Sequence, residues 1–436
     1  MPQDLLDLPP ELFQRVVHEL VLDVGIVEAW KLRSVSRTFA AEIHHDIFAH
    51  QPKEVFIAYL NRTSPGCPLP RNNGEILKNN LPLYLRNRMN ARLDADGVLV
   101  PKLKELLDYL MKELGVQDFE QRQQHAIQLT EGIILGNSGR WAAWVKTFLW
   151  DCEPMHNYFT DSANKIKGRA ATAAEKLCAA VAVNAYNLVT PLFAEAKDAA
   201  RTHFGDPLTI ATRRGDTKMV RTLLDCYSKF YPGKHTHQDK LDAIEEAIKV
   251  NNADALKLLI YSCRPWDQIH SSENVMHKMW MNEAAMTGSV ATLDAVIETK
   301  GGRKGMLNQE AVKSICGHGT VAVINHYIGI GLLDVNKTYS HTSPLVAATE
   351  EAYHEGSIDR VATLISAGAD VNKATGNGTT ALCVAAKRNR RYTMGYLLDK
   401  GANTNTDNWP PYHHNVAKCR LQYVLEDRAA TPLSTT

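Results

Sequence analysis

Residues 333–405 read LDVNKTYSHTSPLVAATEEAYHEGSIDRVATLISAGADVNKATGNGTTALCVAAKRNRRYTMGYLLDKGANTN. Within this stretch the chain states nearly the same thing twice. Gly368-Ala369-Asp370 returns as Gly401-Ala402-Asn403, 33 residues later. Asp334-Val335-Asn336 returns as Asp370-Val371-Asn372, and Thr342-Ser343-Pro344-Leu345 returns as Thr379-Thr380-Ala381-Leu382. A self-match at this period, with this turn chemistry, marks stacked helix-pair repeats, each too small to bury its own apolar face.

These residues resemble the ankyrin repeat, whose pattern runs roughly D-x-N…G-x-T-P-L-H-x-A-A-x-x-G and then an apolar second helix. The resemblance implies a turn residue between two helices, followed eight and nine positions later by a large apolar pair. Anchored on that geometry, a ladder runs back along the chain. Asn184 leads to Leu192-Phe193, Gly215 to Leu223-Leu224, Asn251 to Leu259-Ile260, and Gly288 to Val296-Ile297. Gly319 leads to Tyr327-Ile328, Gly356 to Leu364-Ile365, and Asn389 to Leu397-Leu398. The steps are 31, 36, 37, 31, 37 and 33 residues. Ala211, Ala284-Ala285, Ala347-Ala348 and Ala385-Ala386 supply small side chains where first helices must approach closely. The long step to Gly356 reflects extra residues at Thr349–His354. Thr190-Pro191-Leu192 spells T-P-L but falls where a second helix belongs. After Gly401 the pattern returns only in part, and Val416–Leu425 reads as the capping helix that a solenoid needs for solubility. Ala429–Thr436 reads as a disordered tail. An irregular helical solenoid of another type is the competing structural reading.

The first 50 residues form a separate unit. Leu5, Leu6 and Leu8 lead into Pro9-Pro10-Glu11, and proline suits a helix's first turn because the N–H it lacks has no partner there. Leu12, Val16, Val17 and Leu20 form an apolar stripe, and Asp23–Gly25 break it. A second stripe runs through Ala29, Leu32, Val35, Phe39 and Ile43. A hairpin of about 45 residues cannot bury both stripes alone, so it must pack on the next segment, on a partner, or on both. Leu8-Pro9-Pro10-Glu11-Leu12, Val16 to Leu20, and Leu32-Arg33-Ser34-Val35-Ser36-Arg37-Thr38-Phe39 resemble the F-box. Phe39 stands where tryptophan is common, and the connection Val21–Val27 is longer than usual. That resemblance implies docking to the Skp adaptor of a cullin–RING ubiquitin ligase, with Leu8, Pro9, Leu12, Val16, Leu20, Leu32 and Val35 at the interface. The plainer reading is a helical cap packed on the rest of the chain.

The middle is less legible. Lys53–Leu60 reads as a short helix and Thr63–Gly74 as a loop dense in turn formers. Gly97 and Pro101 mark a break, after which Leu103, Leu106, Leu107, Leu110 and Met111 give an amphipathic helix. Trp141, Trp144, Phe148, Leu149 and Trp150 read as core aromatics.

Composition excludes several classes. Lys+Arg 49 against Asp+Glu 48 leaves no net field for nucleic acid. No run of 18 apolar residues is present, so no membrane span is expected. The N-terminus is acidic and lacks a signal peptide's basic and apolar regions. Eight scattered cysteines without a C-x-x-C pair read as free buried thiols in a reducing compartment, cytoplasmic or nuclear. His44-His45, His235-Thr236-His237 and His413-His414 lack further ligands at metal spacing. Gly301–Gly305 has no G-K-[ST], and no G-x-S-x-G occurs. No catalytic residue, cofactor or metal is assigned.

The sequence thus predicts an all-α fold: an ankyrin-type helical repeat solenoid with short β-turn fingers, preceded by an F-box-like helical unit. The expected layout is a hairpin at 1–50, a helical linker region at 51–165 with room for a divergent repeat, repeats and cap at 166–428, and a tail at 429–436. Lys337, Tyr339, His341, Lys373, Asn377 and Trp409 are the candidate finger contacts to a target. Trp409 is open to a second reading, packing on the cap. The expected partners are a Skp-type adaptor and an unidentified protein target, with the chain a monomer outside that complex. The joined resemblances suggest a substrate-recruiting ligase subunit of the layout found in filamentous fungi. A scaffold or inhibitor unconnected with ubiquitin is the alternative.

Overall fold

The computed structural model describes residues 5–52, 56, 72–90, 98–137, 168–196, 202, 204–231, 237–262, 272–299, 307–339, 341–352, 358–406, 409 and 414–430. Most of the expected helix 53–60, the loop 63–71, the aromatic run 141–150, the glycine-rich stretch 301–305, Gly356 and residues 431–436 lie outside them. The described residues are helices and turns, with no strand among them beyond two isolated bridges. They form two compact units, Met1–Asp239 and Lys240–Thr436.

The first unit opens with α1 (Pro10–Leu32), whose Pro10 sits at the first helical position. The break expected over Asp23–Gly25 is a kink at Gly25 alone, where φ is 80°. Glycine carries no Cβ to oppose that conformation. The second stripe is not one helix. α1 ends at Leu32, and Ser36 starts α2 (Arg37–His45) by accepting the Phe39 N–H at 3.1 Å. A serine that satisfies an orphan amide fixes a helix start there, which splits the apolar periodicity in two.

α2 runs into a widened turn at Asp46–His50. Then come α3 (Asn72–Asn79), α4 (Leu81–Asn90), α5 (Leu99–Leu114) and α6 (Phe119–Gly136). α3 therefore begins inside the expected loop 63–74, at Asn72, and Pro101 lies in the first turn of α5 rather than at a break. Proline costs nothing there. The polar stretch 117–122 hides the start of α6, where Asp118 accepts the Gln121 N–H at 2.8 Å. Two helix pairs complete the unit: α7 (Ala173–Ala182) with α8 (Tyr186–Glu195), and α9 (Pro207–Arg213) with α10 (Thr217–Phe230). Thr172 and Glu175 form a reciprocal capping box at the start of α7. Pro191 lies inside α8, so the misplaced T-P-L does fall in a second helix.

α11 (His237–Lys249) pairs in sequence with α12 (Ala253–Ser262). The second unit continues with α13 (Ser272–Thr287) and α14 (Val290–Thr299), α15 (Gln309–His318) and α16 (Val321–Gly329), α17 (Pro344–Glu350) and α18 (Ile358–Ser366), and α19 (Ala381–Lys387) and α20 (Arg391–Asp399). A single helix, α21 (His414–Ala430), ends the described chain. It continues through Ala429 and Ala430, which the sequence assigns to the tail. First helices α13, α15, α17, α19 and α21 pack in succession, as do second helices α12 with α14 and α16 with α18. Among the described residues this is an all-α helical-repeat fold.

The repeat ladder explains the packing. Ala284, Ala285, Ala348, Ala385 and Ala386 are completely buried, as are Leu259, Val296, Tyr327, Leu364 and Leu397. Asn184, Asn251 and Asn389 occupy left-handed turns with φ of 58°, 55° and 58°. Asparagine tolerates this region better than other side chains bearing a Cβ. Gly215 and Gly288 do the same, but Gly319 does not. Its φ is −65°, and its N–H donates to the Ile315 carbonyl at 3.0 Å.

Candidate interaction surfaces

Two apolar stripes run along α1, one residue apart. Phe13, Val17 and Val21 are buried and hold the hairpin together with Phe39 and Ile43. Phe13 and Phe39 meet edge to face at 5.9 Å between ring centres. The other stripe faces out: Leu12 is 52 % exposed and Val16 41 %. Of the remaining adaptor candidates, Pro9 is exposed, Leu8 and Leu20 are half-buried, Leu32 is at the edge of exposure, and Val35 is 69 % exposed. Leu5, Leu6, Leu22 and Val24 are also exposed. No signal in the sequence marked Leu22 and Val24, because a periodicity does not say which of two adjacent stripes turns inward.

The core side of the hairpin is tied down by polar groups. Asp46 is almost fully buried, and its carboxylate is 2.6 Å from His18 Nδ1 and accepts from Gln51 Nε2 at 2.7 Å. Arg88 of α4 donates to the Gln51 carbonyl. A buried carboxylate needs such partners to offset its desolvation. Trp30 stacks on His44 at 4.8 Å, and the Arg33 guanidinium lies over Trp30 at 4.5 Å. Burial, with the Arg33 charge second, holds His44 below the ordinary histidine value.

The second candidate surface is the set of fingers. The repeated D-x-N motif joins one finger to the next. Asp334 Oδ1 accepts the Asn336 N–H at 2.9 Å. Asn336 then donates through Nδ2 to the Gly368 carbonyl at 2.8 Å and accepts the Asp370 N–H at 2.8 Å. One repeat on, Asp370 accepts the Asn372 N–H at 2.9 Å. Asn372 in turn donates to the Gly401 carbonyl at 3.1 Å and accepts the Asn403 N–H at 2.7 Å. Each amide side chain thus satisfies two backbone groups of the next finger, one donor and one acceptor.

On this frame the candidate contacts stand differently. Lys337, His341 and Lys373 are exposed. Tyr339 is half-buried, in a tight turn closed by its backbone bonds to Thr342 at 2.8 and 3.0 Å, with the Lys337 ammonium 5.2 Å from its ring centre. Asn377 is exposed, yet its Oδ1 lies 2.5 Å from Thr375 Oγ1 and shapes the finger turn. Trp409 is only 5 % exposed. A buried indole cannot make a surface contact, so Trp409 is removed from the candidate finger residues.

The last helix closes the second unit. Arg420 donates to the Lys387 carbonyl at 2.5 Å, and Arg428 reaches the Gly395 carbonyl at 3.3 Å and the Asp399 carboxylate. Ala417, Leu421 and Val424 are buried. Lys387 is the last residue of α19, where carbonyls lack intrahelical partners, so Arg420 satisfies one of them.

Other chemistry is sparse. Among the described residues no group of three or more His, Cys, Asp or Glu side chains is placed to hold a metal ion, and no helix is long and apolar enough to cross a membrane. Cys178, Cys226, Cys316 and Cys383 are free and buried, while Cys419 is free and exposed, against the expectation of burial. Burial pushes the Cys383 thiol up to about 11, and raises Cys178 and Cys316 as well, so none of these three is poised as a nucleophile.

Comparison with known proteins bears on the repeats. The chain is similar in structure to the ankyrin repeat domain of Bcl-3, described as a unique member of the IkappaB protein family, with 20 % identity, a TM-score of 0.33, and 50 % of this chain and 97 % of that one covered. It is also similar to the human ASB11 ankyrin repeat domain, with 18 % identity, a TM-score of 0.32, and the same two shares of 50 % and 97 %. No curated protein matches the sequence. The family profile "Ankyrin repeats (3 copies)" matches residues 345–426, which carry the second copy of each doubled phrase, the turn at Asn389 and most of the closing helix. This part of the chain consists of ankyrin repeats, a protein-interaction module.

Proposed function

We propose that the protein is a substrate-recruiting subunit of an SCF-type cullin–RING ubiquitin ligase, with the N-terminal hairpin docking the Skp adaptor and the repeats holding a protein target. The observation that carries this reading is the pair of stripes on α1. Phe13, Val17 and Val21 already close the hairpin, so Leu12 and Val16 are surplus to its folding and remain in water. Together with Leu32 and Val35 they give an exposed apolar surface where the F-box resemblance expects one.

The role is non-catalytic. The subunit raises the target's local concentration beside a ubiquitin-loaded enzyme. Specificity rests with exposed finger residues such as Lys337, His341 and Lys373, which the packing leaves free to vary. The same reading places the protein in the cytoplasm or nucleus.

Co-purification with the Skp adaptor tests the proposal. The wild type is expected to bind, and Leu8→Asp and Leu12→Asp to abolish binding. A wild type that fails to bind removes the ligase role and leaves a scaffold or inhibitor. Binding that survives both substitutions places the interface elsewhere.

A further inference from the structure

Helix α6 lies across the first-helix face of the first two pairs, packed against both α7 and α9. The approach is close. A Cβ on Gly132 would fall 2.5 Å from Ala182 Cβ, and one on Gly136 would fall 2.8 Å from Ile210 Cγ1 and 3.2 Å from Gly205 Cα. Arg213 and Arg214, at the end of α9, donate at 3.4 Å to the α6 carbonyls of Leu135 and Gln128. Ala182 and Ile210 are completely buried.

The residue two before each turn shows the contrast with the second unit. That position is Ala182 in the first pair, covered by α6. Its counterparts Lys249, Met286 and Lys387 are exposed, Met286 by 62 %, whereas Gly317, two before Gly319, is buried. On its other side α6 packs on α4 and α5, and α4 packs on the turn Asp46–His50 beside the hairpin.

We propose that α6 is a built-in occupant of the first-helix face of α7 and α9, closing that face to partners and confining partner contact with first helices to residues 240–430. The inference rests on the reading that the repeats hold a protein partner. The region between the hairpin and the repeats then has a role of its own, filling a binding face and linking the hairpin to the first two pairs.

The test uses the full-length chain in hydrogen exchange, with a displayed random-peptide library as the probe. Amides of 119–136 should exchange as slowly as those of 173–182 and 207–213. Exchange there about tenfold faster, with both pairs still protected, would show a loosely held helix and overturn the proposal. Selected peptides should protect first helices within 240–430 and leave 207–214 unchanged. A peptide footprint on 207–214 of the wild type also overturns it. The variant Gly132→Leu/Gly136→Leu should speed exchange of 119–136 and admit footprints on 173–214. If that variant does not fold, Gly136→Ala should still raise exchange in 119–136 selectively, and unchanged exchange sinks the idea. A library with no footprint on any first helix counts against the partner reading, while the exchange comparison still decides the place of α6.

Discussion

Asn389 shows how much one turn residue carries. It holds φ at 58° between α19 and α20, and its backbone N–H donates to the Ala386 carbonyl at 3.2 Å. Asn389→Val places a β-branched side chain in the left-handed region and should cost about 1–2 kcal/mol, whereas Asn389→Gly should be nearly neutral. Urea unfolding of the two variants checks the difference. His44 gives a pH dependence. Its folded value lies below the ordinary 6.5, so the unfolded state binds the proton more readily. The neutral ring's contribution is present above pH 6.5 and is lost as pH falls through the folded value. Thermal unfolding should show stability declining below that pH, with a smaller decline in His44→Phe. The D-x-N motif was legible as a repeated phrase. Its bonds across 34 and 31 residues were not, because a sequence period says nothing about which backbone groups an amide meets.

At the scale of the element, α1 carries one buried and one exposed apolar stripe, and adjacent residues should respond unequally. Leu12→Asp changes a side chain already in water and should alter stability by less than about 0.5 kcal/mol. Val17→Asp buries an unpaired carboxylate and should cost on the order of 3 kcal/mol. Urea unfolding monitored by circular dichroism separates the two, and similar losses would mean that Leu12 is not on a free face. The stripes at 12, 16 and 20 and at 13, 17 and 21 are both apolar, so helical spacing alone could not rank them. The partner of the inner stripe, Phe39 and Ile43 on α2, decides it. The merging of Ala29–Ile43 into one stripe failed for a local reason: Ser36 offers a better helix start than continued periodicity offers a helix.

At the scale of the whole molecule, the closing helix α21 is the clearest liability. Its buried Ala417, Leu421 and Val424 cover the last pair, with Arg420 and Arg428 bonded to backbone carbonyls of that pair. Ending the chain at residue 406 should therefore expose the apolar face of α19 and lower solubility, with aggregation seen by light scattering at concentrations where the full chain stays clear. Replacing Leu421 by Asp should act in the same direction, through a charge forced into that contact.

The sequence by itself determined the repeat. A self-match near 33 residues, alanines in the first helices and large apolar pairs in the second were enough, because these features are local to each repeat and imposed by packing that every repeat shares. It also determined that the N-terminus carries more apolar surface than a hairpin can bury. Only the tertiary structure decided where non-repeating surfaces go. It turned Leu12 and Val16 outward, took Trp409 inward, and laid α6 over α7 and α9. Each of those outcomes depends on contacts between residues far apart in the chain, and a glycine such as Gly132 shows its purpose only when Ala182 stands against it.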